Sequence, residues 1–144
     1  MKKKQEEMDW KEAVNYVVIH LKEMFDLRKW RIVIKFGPLD SRAIQDQDST
    51  YRDVRITFDL TKFDDIDELI STVRHEMIHL LFSPFDDVHK QLKQGLDEEN
   101  GIFFHGSYIN AEEKTLNNFE YILDTIDSDL SIKNLKKAIL KYGD

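Results

Sequence analysis

The segment VRHEMIHLLF, residues 73–82, carries two histidines four positions apart with a glutamate beside the first. An α-helix turns about 100° per residue, so His75 and His79 project from the same side of it. Two imidazoles placed in this way can grip one metal ion. Glu76, offset toward the side of that site, can hold and deprotonate a water on the metal. The chemistry such a group supports is metal-assisted hydrolysis, with Zn2+ as the expected ion.

A plainer reading is an amphipathic helix with two surface histidines, and the helical wheel argues against it. With Val73 at zero, Ile66, Leu69, Ile70, Met77, Leu80 and Leu81 fall between roughly −40° and +80°. His75 and His79 fall near 200° and 240°, opposite that core stripe. Their neighbours Ile78 and Phe82, near 140° and 180°, are apolar. The histidine face is therefore not a plain solvated one.

A catalytic zinc takes three protein ligands and keeps a position open. Downstream candidates are His89, His105, Glu98, Glu99, Glu112, Glu113 and Glu120. The expected ligand is Glu120, in NNFEYILDTIDSD. Leu116, Phe119, Leu123 and Ile126 form the core stripe of that helix, and Glu120 and Asp124 are a pair beside it at i, i+4. Carboxylates near a helix C-terminus oppose the macrodipole and repel each other. A dication on Glu120 would offset this, with Asp124 accepting a hydrogen bond from a ligand imidazole. Glu113 stands second, with Asn117 four residues on, and His89 and His105 follow. The competing reading of Glu120 and Asp124 is an exposed acidic face.

The elements that must position these groups are legible in part. Trp10, Val14, Val17, Val18, Leu21 and Phe25 keep a helical period. WRIVIKFG alternates as a half-buried strand closed by Gly37-Pro38, SRAIQDQ is a weak second strand, and YRDVRITFDL alternates more cleanly. The motif helix begins at Asp65, with Glu68 at the reciprocal position of a capping box, and stops at Ser83-Pro84. FDDVHKQLKQG reads as a short helix ended by Gly95, and Leu96 to Tyr108 reads as loop. Asn110, with Glu113 three residues on, caps a helix to about Ile126, and a last short helix follows Ser131. One helix, several strands and then helices make an α+β arrangement.

RHEMIHLLF, preceded by the strand VRITFDL and followed after about 40 residues by a helix with E-x-x-x-D, resembles the zincin metallopeptidases. Glu120 and Asp124 match the Glu-x-x-x-Asp of the gluzincins, the thermolysin-like branch. The small size is similar to that of minimal gluzincins and of metallopeptidases encoded by phages and mobile elements, where a short L-x-P segment also follows, as in LFSPFDD here. The resemblance covers roughly Trp30 to Ile126. It implies a small twisted sheet packed on an N-terminal helix and an HExxH helix, followed by a glutamate helix. It also implies His75, His79 and Glu120 as zinc ligands and Glu76 as general base. The metzincin histidine is absent, since Phe82 and Phe85 stand where its glycine and histidine would be. SprT-like proteases are a second resemblance, weakened because His89 is followed by Lys90-Gln91-Leu92 and cysteine is absent. Thermolysin-like enzymes steady the oxyanion with a tyrosine and a later histidine; here Tyr108, His105 or Tyr121 would have to serve.

The implied substrate is a polypeptide, held as an extended strand against YRDVRITFDL by strand addition. Leu96–Tyr108 would act as a lid or fill the cleft. A chain of 144 residues with 41% hydrophobic content is expected to form one domain, 1–144, with a real core. The net charge of −7 argues against a phosphate-tracking nucleic-acid binder. Lys133, Lys136, Lys137 and Lys141 near the C-terminus read as a solvated helix face. No apolar run of membrane-spanning length or signal-peptide h-region occurs. The lack of cysteine excludes thiolate zinc sites and fits a cytoplasmic protein. The zinc peptidase stands against two alternatives: a metal-binding but catalytically idle partner-binding module, and a metal-free helical interaction domain.

Overall fold

The computed structural model describes residues 2–48, 50–126 and 128–142. Its elements run α1 (Lys2–Met24), β1 (Arg31–Phe36), β2 (Ala43–Asp48), β3 (Asp53–Phe58), α2 (Ile66–His79), α3 (Ser83–Gln94), α4 (Glu98–Thr125) and α5 (Ile132–Tyr142). The arrangement is α+β, with a small mixed sheet of three strands in the order β1-β3-β2.

β3 is central. It pairs in parallel with β1 (Ile32 beside Val54, Ile34 beside Ile56) and antiparallel with β2 (Gln45 beside Ile56, Gln47 beside Val54). Its alternation explains the position: Val54, Ile56 and Phe58 are buried under the helices, while Arg55 is exposed. β2, AIQDQD, has apolar residues only at its start and therefore suits an edge. This corrects one sequence expectation. Both sides of β3 are already hydrogen-bonded to neighbouring strands, so YRDVRITFDL cannot take an extended peptide by strand addition.

Val14, Val17 and Leu21 of α1 and Leu69, Ile70, Val73 and Met77 of α2 close over the sheet as a continuous apolar core. Burying a side chain of this size is worth roughly 1.5–3 kcal/mol, so the stripe of α2 anchors the histidine helix firmly. Its start is tied down as well. Asp65 accepts from the backbone N–H of Glu68 at 2.9 Å, and Glu68 accepts in return from Asp64 N–H at 2.9 Å, one residue earlier than in a standard capping box. α5 closes against α1 and α2 through Leu135. Lys136 of the expected basic face pairs with Asp67 at 2.9 Å, while the Lys141 side chain lies outside the described residues. Among the described residues no helix is long and apolar enough to cross a membrane.

Two boundaries differ from expectation. α2 ends at His79 and a 3-10 turn, Leu80–Phe82, leads straight into α3. Pro84 sits in the first turn of α3, where its missing N–H costs nothing, so it starts a helix as well as ending one. The predicted loop Leu96–Tyr108 is helical from Glu98 onward and continuous with the predicted helix from Asn110. Asp97 caps it, accepting from Asn100 N–H at 2.8 Å, with Glu98 and Glu99 in the first turn. Its glycines do not break it. Gly101 lies against α3, where an added Cβ would stand 3.7 Å from Lys93 Cγ. The first half of α4 packs on α3, and its His105 and Tyr108 border a cavity beside Glu76.

Candidate metal centre

α2 and α4 cross so that the histidine face of one meets a row of glutamates on the other. Within α4, Glu112 and Glu113 lie two turns before Glu120, so one helix side presents carboxylates along its length. His75 and His79 point their Nε2 atoms at each other, 3.2 Å apart, with the rings at 80°. Glu113 straddles the gap, one oxygen 3.3 Å from His79 Nε2 and the other 3.6 Å from His75 Nε2. His75, His79 and Glu113 together could hold a metal ion.

The opposite nitrogen of each ring is also engaged. His75 Nδ1 meets Glu120 at 3.1 Å and His79 Nδ1 meets Glu112 at 2.9 Å. An ionised carboxylate only accepts, so each Nδ1 is the donor, and in the neutral form of each ring the Nε2 lone pair then points inward. Two converging lone pairs at 3.2 Å repel unless a cation or a shared proton lies between them. The hydrogen bond to Glu120 pushes the His75 imidazole up from its ordinary 6.5, against the opposing effect of burial. Burial pushes Glu112 above the ordinary carboxyl range, with the His79 hydrogen bond pulling it back.

This placement differs from the ligand set read from the sequence. Glu120 does not converge on the two Nε2 atoms; it lies behind His75 as the acceptor for Nδ1–H. Asp124 touches neither imidazole. It forms a two-point pair with Arg74, at 2.9 and 3.1 Å, and accepts from Ile132 N–H at the start of α5. Arg74 draws its carboxyl below the ordinary range. The reason is axial: Glu113, Glu120 and Asp124 project from nearly the same side of α4, and the packing of Leu116 and Leu123 fixes where along its length α4 passes α2, which places Glu113 at the gap and Glu120 and Asp124 one or more turns beyond it. The supporting role assigned to Asp124 falls instead to Glu120 and Glu112.

Glu76 lies beside the pair. Burial raises its carboxyl above the ordinary range, and His79 and His75 oppose that rise. Gln45 on β2 holds it: Nε2 donates to the Glu76 carbonyl at 2.9 Å and to its carboxylate at 3.2 Å. A cavity of about 440 Å³ opens here, bordered by Glu76 and His79 on one side and by His89, His105, Tyr108 and Ile109 on the other. The Tyr108 hydroxyl donates to Asp86, and its ring stacks on His89 at 4.1 Å. His105 Nδ1 faces His89 Nε2 at 2.9 Å. Tyr108 and His105, two of the three expected oxyanion groups, thus border the cavity but are engaged with α3. Tyr121 is exposed. A larger groove of about 830 Å³, lined by Arg31, Arg55 and Asp48, adjoins this cavity through Asp46, Gln47, Asp87 and Lys90 and contains none of the histidines.

Sequence reasoning passed over Arg74. Its signal was available: at about 100° on the wheel it borders the apolar stripe, and a cation there needs a buried partner. Comparison with family models, with curated proteins and with solved structures finds no match for this chain.

Proposed function

We propose that the chain is a zinc-dependent metallopeptidase of zincin type, with His75, His79 and Glu113 as ligands. The observation that carries the reading is the pair of inward Nε2 atoms 3.2 Å apart with Glu113 across them. Ligands about 2.0–2.1 Å from a tetrahedral zinc stand about 3.3 Å from one another; the two Nε2 atoms already have that spacing, and single ligand atoms of the trio all lie within 4.8 Å of one another. The donor set, two neutral imidazoles and a carboxylate with each imidazole backed by a second carboxylate, is that of a catalytic zinc. When bound, zinc supplies Lewis acidity and brings water toward ionisation near neutral pH.

The chain's own residues supply the rest. Glu76, raised by burial, accepts a proton from the attacking water and returns it to the departing amine. Gln45 fixes that carboxylate against the cavity. Among the described residues β2 pairs on one side only, with β3. An extended polypeptide added along its outer edge would run past Gln45 and Glu76, replacing the role first expected of β3.

Zinc content of the purified chain, with hydrolysis of an unfolded protein such as casein, tests this. Stoichiometric zinc and turnover that Glu76→Gln abolishes without loss of zinc are expected. Absence of zinc, with no gain in thermal stability on adding it, would sink the reading. One observation favours a second reading, a metal-binding module that grips a partner without cutting: the Tyr108 hydroxyl is directed to Asp86. Zinc-loaded wild type without turnover on any unfolded substrate is the result that would select it.

A further inference from the structure

Arg74 is among the most deeply buried side chains of the protein, 1% exposed, and sits beside the first histidine. One edge of its guanidinium is fully bonded: Nη1 donates to Asp124 at 2.9 Å and to the Leu130 carbonyl at 2.9 Å, and Nη2 donates to Asp124 at 3.1 Å. The other edge is not. Its Nε and Glu120 Oε1 face each other at 3.6 Å, and both are buried without a hydrogen-bond partner. The second oxygen of the same Glu120 accepts from His75 Nδ1. A chain of contacts therefore runs from Asp124 through Arg74 and Glu120 to His75.

We propose that Arg74 is a positioning residue of the metal centre, acting through Glu120 to hold the His75 ring with its Nε2 lone pair directed inward. A planar guanidinium anchored at three points cannot swing, so it presents Nε to Glu120 at a set place. With Oε1 drawn to Nε, Oε2 stays on Nδ1–H, which sets both the tautomer and the angle of the ring. Asp124, near the end of α4, and the Leu130 carbonyl, just before α5, are the anchor. This is what keeps Asp124 near the site although it touches no imidazole. His79 has a separate support, Glu112, which Arg74 does not touch. The two histidines are thus positioned by independent carboxylates, and only one of them depends on Arg74.

The inference rests on the metal reading for its affinity arm but not for its tautomer arm. In the metal-free full chain, imidazole 1H–15N spectra should show Nδ1–H signals for both histidines. Arg74→Met should lose or broaden the His75 signal and leave that of His79. Zinc affinity, by competition with a chelator, should fall about 10- to 100-fold in Arg74→Met, and Arg74→Lys should recover little because an ammonium cannot span the three anchors. The double variant Arg74→Met/Glu120→Gln should lose no more affinity than Glu120→Gln alone, since Arg74 acts through that carboxylate; a purely structural role predicts losses that add. If Arg74→Met does not fold, Arg74→Lys, which keeps the charge but not the three anchors, must still produce the selective loss at His75. Unchanged His75 signals in either folded variant, or equal damage to both histidines, overturns the proposal. A wild type that binds no zinc overturns the function proposed above and leaves the tautomer arm standing.

Discussion

Removal of Glu113 and removal of Glu120 should have different effects, and the size of the difference follows from where each carboxylate lies. Glu113 stands 3.3 and 3.6 Å from the two Nε2 atoms, so Glu113→Ala deletes one of three ligands. Glu120 reaches only the far side of His75, at 3.1 Å, so Glu120→Ala removes a support. Losing a support costs about 10- to 100-fold in metal affinity; losing a ligand from a set of three should cost more. Zinc held at 100 times its wild-type Kd stabilises the fold by about 2.7 kcal/mol. At about 3 °C per kcal/mol for a chain of this size, wild type should gain about 8 °C in Tm. A tenfold loss leaves about 1.4 kcal/mol, or about 4 °C, and a hundredfold loss leaves about 0.4 kcal/mol, or about 1 °C. Differential scanning calorimetry of each variant, with zinc and with chelator, reads this directly. Glu120→Ala should retain up to half of the wild-type gain and Glu113→Ala less than about 1 °C. The reverse ranking would refute the ligand assignment and restore Glu120 as the ligand.

Three further outcomes are expected. Gln45→Ala, which frees the Glu76 carboxylate, should lower kcat on an unfolded substrate about tenfold, the worth of one hydrogen bond to a charged group, while zinc content by elemental analysis stays unchanged. Phe58→Ala, at a fully buried site in the central strand, should cost about 3–5 kcal/mol in urea unfolding, read as a lower midpoint. Asp124 has a carboxyl held below its ordinary 3.8 by Arg74, so its contribution to stability is complete above about pH 4 and lost as pH falls through the lowered value. Acid titration of Asp124→Asn should therefore show a flatter stability profile below about pH 4 than wild type, and an identical acid limb would count against the Arg74 pair.

What the sequence determined by itself is what short-range geometry controls. His75, Glu76 and His79 share one helix, so their mutual placement follows from its pitch. The apolar stripe of α2, the cap at Asp65, the alternation of YRDVRITFDL and the helix ended by Gly95 are all set within about a turn of the residues that signal them. The first half of α4 was illegible because its glycines and exposed apolar residues mimic a loop; packing against α3 overrides that local signal. Tertiary structure alone decided the rest of the site. Glu112, Glu113, Glu120 and Asp124 lie on one helix within reach of α2. Glu113, Glu120 and Asp124 share nearly one face, so which of them meets the histidines depends on where along its length α4 passes α2, at about 1.5 Å per residue. The burial of Leu116 and Leu123 fixes that crossing point, and with it makes Glu113 the group across the Nε2 pair, Glu120 and Glu112 the supports, and Asp124 the anchor of Arg74. The order of strands was decided in the same non-local way, by which of the three could bury its apolar row.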